Sequence, residues 1–154
     1  MEDVFQKLIL MIRAYYPVLY LHSYEYYRTK QKIKGIVELL RREGKKVNYY
    51  QWDCVYGLVQ ILPDKTEKRI ERMQNPLEVL AYILNSKKSG EKNIFVLDDI
   101  NNHIDRDEVK LMFRKIAEAT NNNTHAIILS SIYRLPAELE KYITVLQIPL
   151  PKRN

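Results

Sequence analysis

The sequence has a single cysteine, Cys54, so no disulfide forms within the chain. Its three histidines, His22, His103 and His125, are too scattered for the ligand spacing of a zinc site. Glycine is scarce as well, at Gly35, Gly44, Gly57 and Gly90 only. No pair fits the G-x-G-x-x-G spacing of a dinucleotide-binding loop. The one Gly-Lys dipeptide, Gly44-Lys45, lacks the rest of a Walker A loop, because the earlier glycine would stand at Leu39 and the Ser or Thr at Lys46. A standard amide cradle for phosphates is therefore excluded. No apolar run approaches the ~18 residues of a membrane-spanning helix. The start, Met1-Glu2-Asp3-Val4-Phe5, carries acids where a targeting signal needs positive charge. A cytoplasmic location without membrane contact is the expectation.

What is present describes a globular chain. With 154 residues, 18.4 kDa, 46% hydrophobic and 29% charged residues and a mean hydropathy of −0.38, it can bury a core unaided and is too apolar for a disordered tail. No repeat, low-complexity tract or linker divides it, so one domain over residues 1–154 is expected. Phe5, Leu8, Ile9 and Ile12 predict an amphipathic helix over Phe5–Arg13, ended by the approach to Pro17. Val18-Leu19-Tyr20-Leu21 shows no alternation and predicts a strand buried on both faces. Ser23 can cap a long helix over about residues 24–43, with Ile33, Ile36, Val37 and Leu40 as its stripe and Gly44 as its stop. A strand over 46–53 follows, and Gly57 with Pro63-Asp64 predicts a loop or short ribbon. Asn75-Pro76 opens a helix to about Asn85, with 86–91 as its exit loop. Ile94–Leu97 and Ala126–Leu129 read as buried strands. Between them Asp105 and Glu108 form a capping box for a helix through Val109, Met112, Phe113 and Ile116, which Asn121-Asn122-Asn123 ends. A short helix from Pro136 and a strand over 144–148 complete the order.

Alternating strands and helices predict an α/β three-layer sandwich with a mainly parallel sheet, since parallel neighbours need a crossover and a helix supplies it. Such sheets bind ligands beyond the carboxyl ends of their strands. Here those ends are His22-Ser23-Tyr24-Glu25, Asp53-Cys54, Asp98-Asp99 and Ser130-Ser131.

An apolar strand followed by two acids, a strand ending in small polar residues, a Pro-started helix and a final Ile143-Thr144-Val145-Leu146-Gln147-Ile148-Pro149-Leu150-Pro151 form an ordered set. The set resembles the nucleotide-binding core of AAA-type ATPases. Ile12-Arg13-Ala14-Tyr15-Tyr16-Pro17-Val18-Leu19-Tyr20-Leu21 and Leu135-Pro136-Ala137-Glu138-Leu139-Glu140-Lys141 resemble more closely the amino-terminal region of the plastid and cyanobacterial AAA-type ATPase family. In that family an α/β domain without a phosphate loop precedes an ATPase module. The resemblance covers nearly the whole chain. It implies a P-loop-NTPase-like, five-stranded sheet of order 5-1-4-3-2, flanked by the first helix, with no helical lid after Pro151. It also exposes departures from a working ATPase. The phosphate-loop position holds His22-Ser23-Tyr24-Glu25-Tyr26-Tyr27-Arg28-Thr29, without glycine or a Lys-Thr pair. The second acid is Asp99 where Glu is usual, and Ser130 or Ser131 stands for the common Asn of the polar sensor.

The Asp98-Asp99 pair has the residue types to hold a Mg-bound water and orient an attacking one. Without amides and a lysine for the phosphates, the triphosphate has little to hold it, and the plainer reading is that the acids cap their strand. Ser23, Tyr24, Asp98, Asp99, Ser130 and Ser131 are thus read as a vestigial nucleotide site. No resident cofactor or metal is expected, with ATP and Mg as the alternative.

A second candidate surface is basic. Residues 28–46 carry eight cations and two acids, a surplus equal to the whole formal net charge of +6. Tyr26, Tyr27, Arg28, Lys30, Lys34 and Arg41 suit a polyanion or an acidic protein face, and equally the solvated side of an amphipathic helix, with Lys30, Lys34 and Arg41 turned away from the apolar stripe. Nine of the twelve tyrosines lie between Tyr15 and Tyr56. Tyr20 and one of Tyr49 or Tyr50 are expected in the core, and Tyr24, Tyr26 and Tyr27 in partner contacts. Cys54 reads as a small packing residue rather than a nucleophile paired with His103 or His125, and His22 as a satisfied structural imidazole. The leading expectation is a noncatalytic interaction or regulatory domain acting through a protein partner, an ATPase module or a second copy. The alternatives are a basic nucleic-acid-binding module and a degenerate domain that binds but hardly hydrolyses ATP.

Overall fold

The computed structural model describes residues 2–86, 91–119 and 123–150. In chain order the elements are α1 (Glu2–Arg13), β1 (Val18–His22), α2 (Tyr26–Arg42), β2 (Val47–Asp53), β3 (Gly57–Ile61), β4 (Glu67–Glu71), α3 (Pro76–Ser86) and β5 (Lys92–Asp98). A 3-10 turn (Ile100–His103), α4 (Asp107–Glu118), β6 (Thr124–Ser130), a second 3-10 turn (Ala137–Leu139) and β7 (Thr144–Gln147) follow. Most of the expected loop 86–91, Asn121 and Asn122 of the asparagine run and the stretch from Pro151 lie outside the described residues.

One sheet runs β4-β3-β2-β5-β6-β1-β7. Its segment β7-β1-β6-β5-β2 is parallel throughout, and β3 and β4 extend the β2 edge as an antiparallel ribbon. The expected five-stranded sheet is therefore corrected to seven strands, in the order just given. Of the loop or short ribbon expected after Gly57, the ribbon forms; β4 itself carries no strand signal because its side chains, Glu-Lys-Arg-Ile-Glu, are almost all exposed, so no apolar alternation marks them. Gly57 opens β3 at φ +78, where an added Cβ would meet Met73 N at 2.9 Å. Only glycine fits both restrictions.

Each face of the sheet carries its own core, which gives three layers. On one face Leu8 and Ile12 of α1 and Ile33, Val37 and Leu40 of α2 pack on Leu19, Leu21, Val96 and Leu129. On the other, Val79 and Ile83 of α3 and Val109 and Phe113 of α4 pack on Tyr20, Trp52, Phe95 and Ile128. The unbroken apolar runs of β1, β5 and β6 follow from burial on both sides. The same fact corrects the tyrosine expectation: Tyr49 and Tyr50 point to opposite faces and both are buried.

Helix ends follow the expectation in two cases and depart from it in two. The Gly44 stop is confirmed as a Schellman motif: Gly44 N–H donates to Arg41 O at 3.0 Å, Lys45 N–H to Leu40 O at 3.2 Å, and φ of Gly44 is +90. Asn75 caps α3, its Oδ1 accepting from Leu77 N–H at 2.9 Å. The capping box at Asp105 and Glu108 is not formed. The N-cap of α4 is Arg106, without a side-chain cap, and Glu108 accepts instead from Arg106 Nε at 2.9 Å. Likewise Glu25, not Ser23, is the N-cap of α2.

Candidate functional site

β6 lies between β1 and β5, with His22 level with Ser130 and Asp98 with Leu129. Parallel strands end on the same side, so His22-Ser23, Asp98-Asp99 and Ser130-Ser131 converge on one edge of the sheet. The chain needs only Tyr24 and Glu25 to pass from there into α2, which places the first turns of that helix beside the same edge.

Tyr26 and Lys30, spaced i and i+4, share one face of α2. That face meets both acids. Lys30 Nζ pairs with Asp98 Oδ2, and both side chains are largely buried. The Tyr26 hydroxyl donates to Asp99 Oδ1 at 2.5 Å and accepts from Ser131 N–H at 3.0 Å. Ser130 Oγ donates to the same Asp99 oxygen at 3.0 Å and accepts from Ile132 N–H at 3.1 Å. Asp99 has φ +58, a left-handed conformation that Asp adopts more readily than Glu. Ser23 is buried, its hydroxyl sharing a hydrogen with Thr29 Oγ1 at 2.9 Å and accepting from Glu25 N–H at 3.1 Å.

Burial pushes the Asp98 carboxyl above the usual range; the Lys30 ammonium pulls it back, and Asp99 and Asp53 push it further up. Asp98 Oδ1 and Asn101 Oδ1 are buried without a hydrogen-bond partner among the described residues. The edge is closed laterally by tyrosine and histidine. Tyr20 donates to Ile132 O at 2.5 Å and accepts from Arg134 N–H at 3.0 Å. His22 Nε2 donates to Ser131 O at 3.0 Å while its Nδ1 accepts from Gln147 Nε2 at 2.7 Å, which makes it the satisfied imidazole expected.

These contacts test the fit of a magnesium nucleotide. A metal bridging phosphates needs free carboxylate oxygens. Here an ammonium sits on Asp98 Oδ2 and two hydroxyls share Asp99 Oδ1, while Asp98 Oδ1 stays buried without a partner among the described residues. No group of three or more His, Cys, Asp or Glu able to hold a metal occurs among the described residues. One oxygen of each acid is thus engaged by the chain's own groups, and no glycine loop stands beside them to hold phosphates.

Of the expected vestigial set, Ser23, Asp98, Asp99, Ser130 and Ser131 come together, whereas Tyr24 turns out to solvent beside His22, ring centroids 5.3 Å apart. The basic and aromatic set is divided. Tyr27 is 77% exposed, Arg28 pairs with Glu25 at 3.5 Å, and Lys34 lines a groove between α2 and the ribbon. Three residues depart from the surface role: Tyr26 and Lys30 turn inward to the acids, and Arg41 donates to Val47 O at 2.8 and 3.2 Å. Cys54 is not a packing residue but is exposed in the turn after β2. His125, near the start of β6, lies at the opposite end of the parallel strands from Cys54. The sequence reading missed the inward roles of Tyr26 and Lys30, although their i, i+4 spacing opposite two adjacent acids was available as a signal.

A layered α/β domain with an acid pair after its third parallel strand, and helix side chains where a phosphate loop would lie, is an AAA-type scaffold without the cradle. The chain belongs to the family of SpoVK-like AAA ATPase N-terminal domains, whose model matches residues 4–148. It is similar to three proteins described as "Uncharacterized AAA domain-containing protein ycf46". The one from Guillardia theta is 28% identical over 147 residues, 94% of this chain and 27% of the relative. Those from Trieres chinensis and Pyropia yezoensis are 28% and 26% identical, covering 96% and 95% of this chain and 28% of each relative. The chain thus spans little more than a quarter of the length of these relatives.

Proposed function

We propose that this domain is a noncatalytic interaction or regulatory unit of an AAA-type protein, whose edge at the strand ends meets a protein partner rather than a nucleotide. The observation that carries the reading is the occupation of the acid pair by the chain's own groups: Lys30 on Asp98, Tyr26 and Ser130 on Asp99. A triphosphate would have to displace an ion pair and a tyrosine without gaining a glycine-loop cradle. The rim around this closed edge supports a protein contact. Tyr24, Tyr27, Ile132 and Tyr133 are all exposed there, with Tyr24 and Tyr133 both against His22. Aromatic side chains framed by polar groups are enriched in protein interfaces. The relatives, described by name as AAA domain-containing and more than three times as long, make an ATPase module the first partner to consider.

Calorimetric titration of the chain with Mg-ATP tests the reading. We expect no nucleotide binding that depends on Asp98 and no phosphate release. Saturable micromolar binding that is lost in Asp98→Ala would overturn it. The nucleic-acid alternative is disfavoured by the same geometry, since Lys30 and Arg41 are engaged within the fold.

A further inference from the structure

At the other end of the sheet, where the parallel strands begin, lies a depression of about 380 Å³ lined by Arg13, Tyr15, Lys45, Lys46, Glu91 and Lys92. Four of these are basic and one acidic. Arg13 is tied to Glu43 at 2.6 Å, and Glu91 accepts from Asn48 Nδ2 at 2.7 Å. The exposed side chains of Lys45 and Lys46 enter no ion pair among the described residues.

Lys92 is the unusual member, a lysine only 6% exposed with no carboxylate on its ammonium among the described residues. Its Nζ donates to Ile12 O at 3.3 Å and to His125 Nε2 at 2.9 Å. His125 Nδ1 stands 2.6 Å from Tyr16 O, which can only accept, so Nδ1 carries the hydrogen and Nε2 offers its lone pair to Lys92. Two of the three N–H bonds of Lys92 are thereby used, and its side chain lines the pocket. Burial, followed by the charge of Lys45, lowers the Lys92 pKa to about 8. Two cations that repel one another across a concave surface define a place where an anion is stabilised.

Tyr15 supplies a second, independent observation. It is the left-handed residue of a Schellman motif at the end of α1, with φ +65, Tyr15 N–H donating to Ile12 O at 3.1 Å and Tyr16 N–H to Met11 O at 3.0 Å. Glycine is the usual occupant, and a side chain there costs about 1 kcal/mol. The ring nevertheless stands at the rim, 5.3 Å from Lys92 Nζ and more than half exposed. A conformational cost kept at a pocket mouth fits a functional position.

We propose that this pocket is an oxyanion site for the phosphate groups of a small molecule, bound by Lys45, Lys46 and Lys92 with Tyr15 at its rim. The site lies at the opposite sheet end from the acid pair and is independent of the reading given above. Titration of the chain with pyrophosphate in low salt at about pH 7 should show saturable binding, weakened about tenfold or more in Lys45→Ala/Lys46→Ala. Lys34→Ala, in a different groove, should leave it unchanged. An absence of saturable heat, retention of affinity in the double variant, or equal weakening by Lys34→Ala would each overturn the proposal.

ADP distinguishes the source of the phosphates. Affinity equal to pyrophosphate means that the phosphates alone are read, whereas tighter binding abolished in Tyr15→Gly means that a nucleoside rests on the ring. Sulfate, doubly charged at both pH values, should bind several-fold more weakly at about pH 9 than at about pH 7, as Lys92 loses its proton. Arg13, Lys45, Lys46, Glu91, Tyr15 and His125 are the charged or titratable groups around it, and the lowered pKa of Lys92 falls in that window. Lys92→Met should remove this dependence. A sulfate affinity independent of pH in the unaltered chain would eliminate Lys92 from the site, and the double variant decides the rest even where Lys92→Met does not fold.

Discussion

Lys30 and Tyr26 hold the two acids by different means, and their removal has different consequences. Lys30→Met leaves a largely buried Asp98 without its counter-charge, which should cost about 2–3 kcal/mol at neutral pH. Asp98 is already raised by burial, and losing Lys30 raises it further. A folded-state pKa above the unfolded value means that stability falls as pH rises through that window, so the deficit of the variant should shrink toward about pH 4. Urea midpoints of both proteins across acid pH measure this. Tyr26→Phe removes hydrogen bonds without stranding a charge in an apolar site, since Ser130 remains on Asp99; about 1 kcal/mol is expected in the same experiment. Lys92 is the mirror case. Its folded pKa of about 8 lies below the ordinary lysine value, so the unfolded chain binds more protons between about pH 8 and 10.5, and stability contributed by this residue rises with pH across that range. The difference in midpoint between the unaltered chain and Lys92→Met should change with that sign. Neither pair was foreseen from residue types, because an exposed lysine and a buried one are spelled alike.

At the scale of elements, α2 combines two tasks on two faces: Ile33, Val37 and Leu40 bury against the sheet, while Tyr26 and Lys30 close its edge. The apolar face was legible from period 3.6, and so was the Gly44 stop. Gly44→Ala, at φ +90, should cost about 1 kcal/mol in thermal or urea unfolding. Gly57→Ala should cost more, about 2–3 kcal/mol, since backbone strain adds to a 2.9 Å approach to Met73 N. The β3–β4 ribbon, which Gly57 permits, is not told from a loop by the sequence because an edge strand carrying Glu67, Lys68, Arg69 and Glu71 has no buried side to produce alternation. Those charges also discourage pairing of the exposed edge with another chain. The Asp105 and Glu108 spacing fitted a capping box, yet the helix starts at Asp107; a four-residue spacing specifies a cap only if the backbone enters the helix in register with it.

For the molecule as a whole, a parallel sheet covered on both faces leaves its two ends as the places where polar chemistry gathers. No described helix is long and apolar enough to cross a membrane. At the carboxyl end, acids are neutralised from within; at the amino end, Lys45, Lys46 and Lys92 gather around a cavity. This polarity yields a comparison between ends: Lys30→Met should destabilise the fold without affecting pyrophosphate binding, and Lys45→Ala/Lys46→Ala should do the reverse. Melting temperature and calorimetry on the same samples separate them.

The amino-acid order alone determined the alternation of elements, the doubly buried strands β1, β5 and β6, the absence of a phosphate loop and the arrival of Asp98, Asp99, Ser130 and Ser131 at strand ends. These are short-range properties, written in periodicity and in glycine spacing. Tertiary structure decided the rest: the seven-stranded extent of the sheet, the burial of both Tyr49 and Tyr50, and the pairings of Lys30 with Asp98, Tyr26 with Asp99 and Lys92 with His125. Those partners are separated by 68, 73 and 33 residues. Such contacts depend on which strands become neighbours and how far each helix extends over the sheet, and the energy that sets both is collective burial, not any local preference.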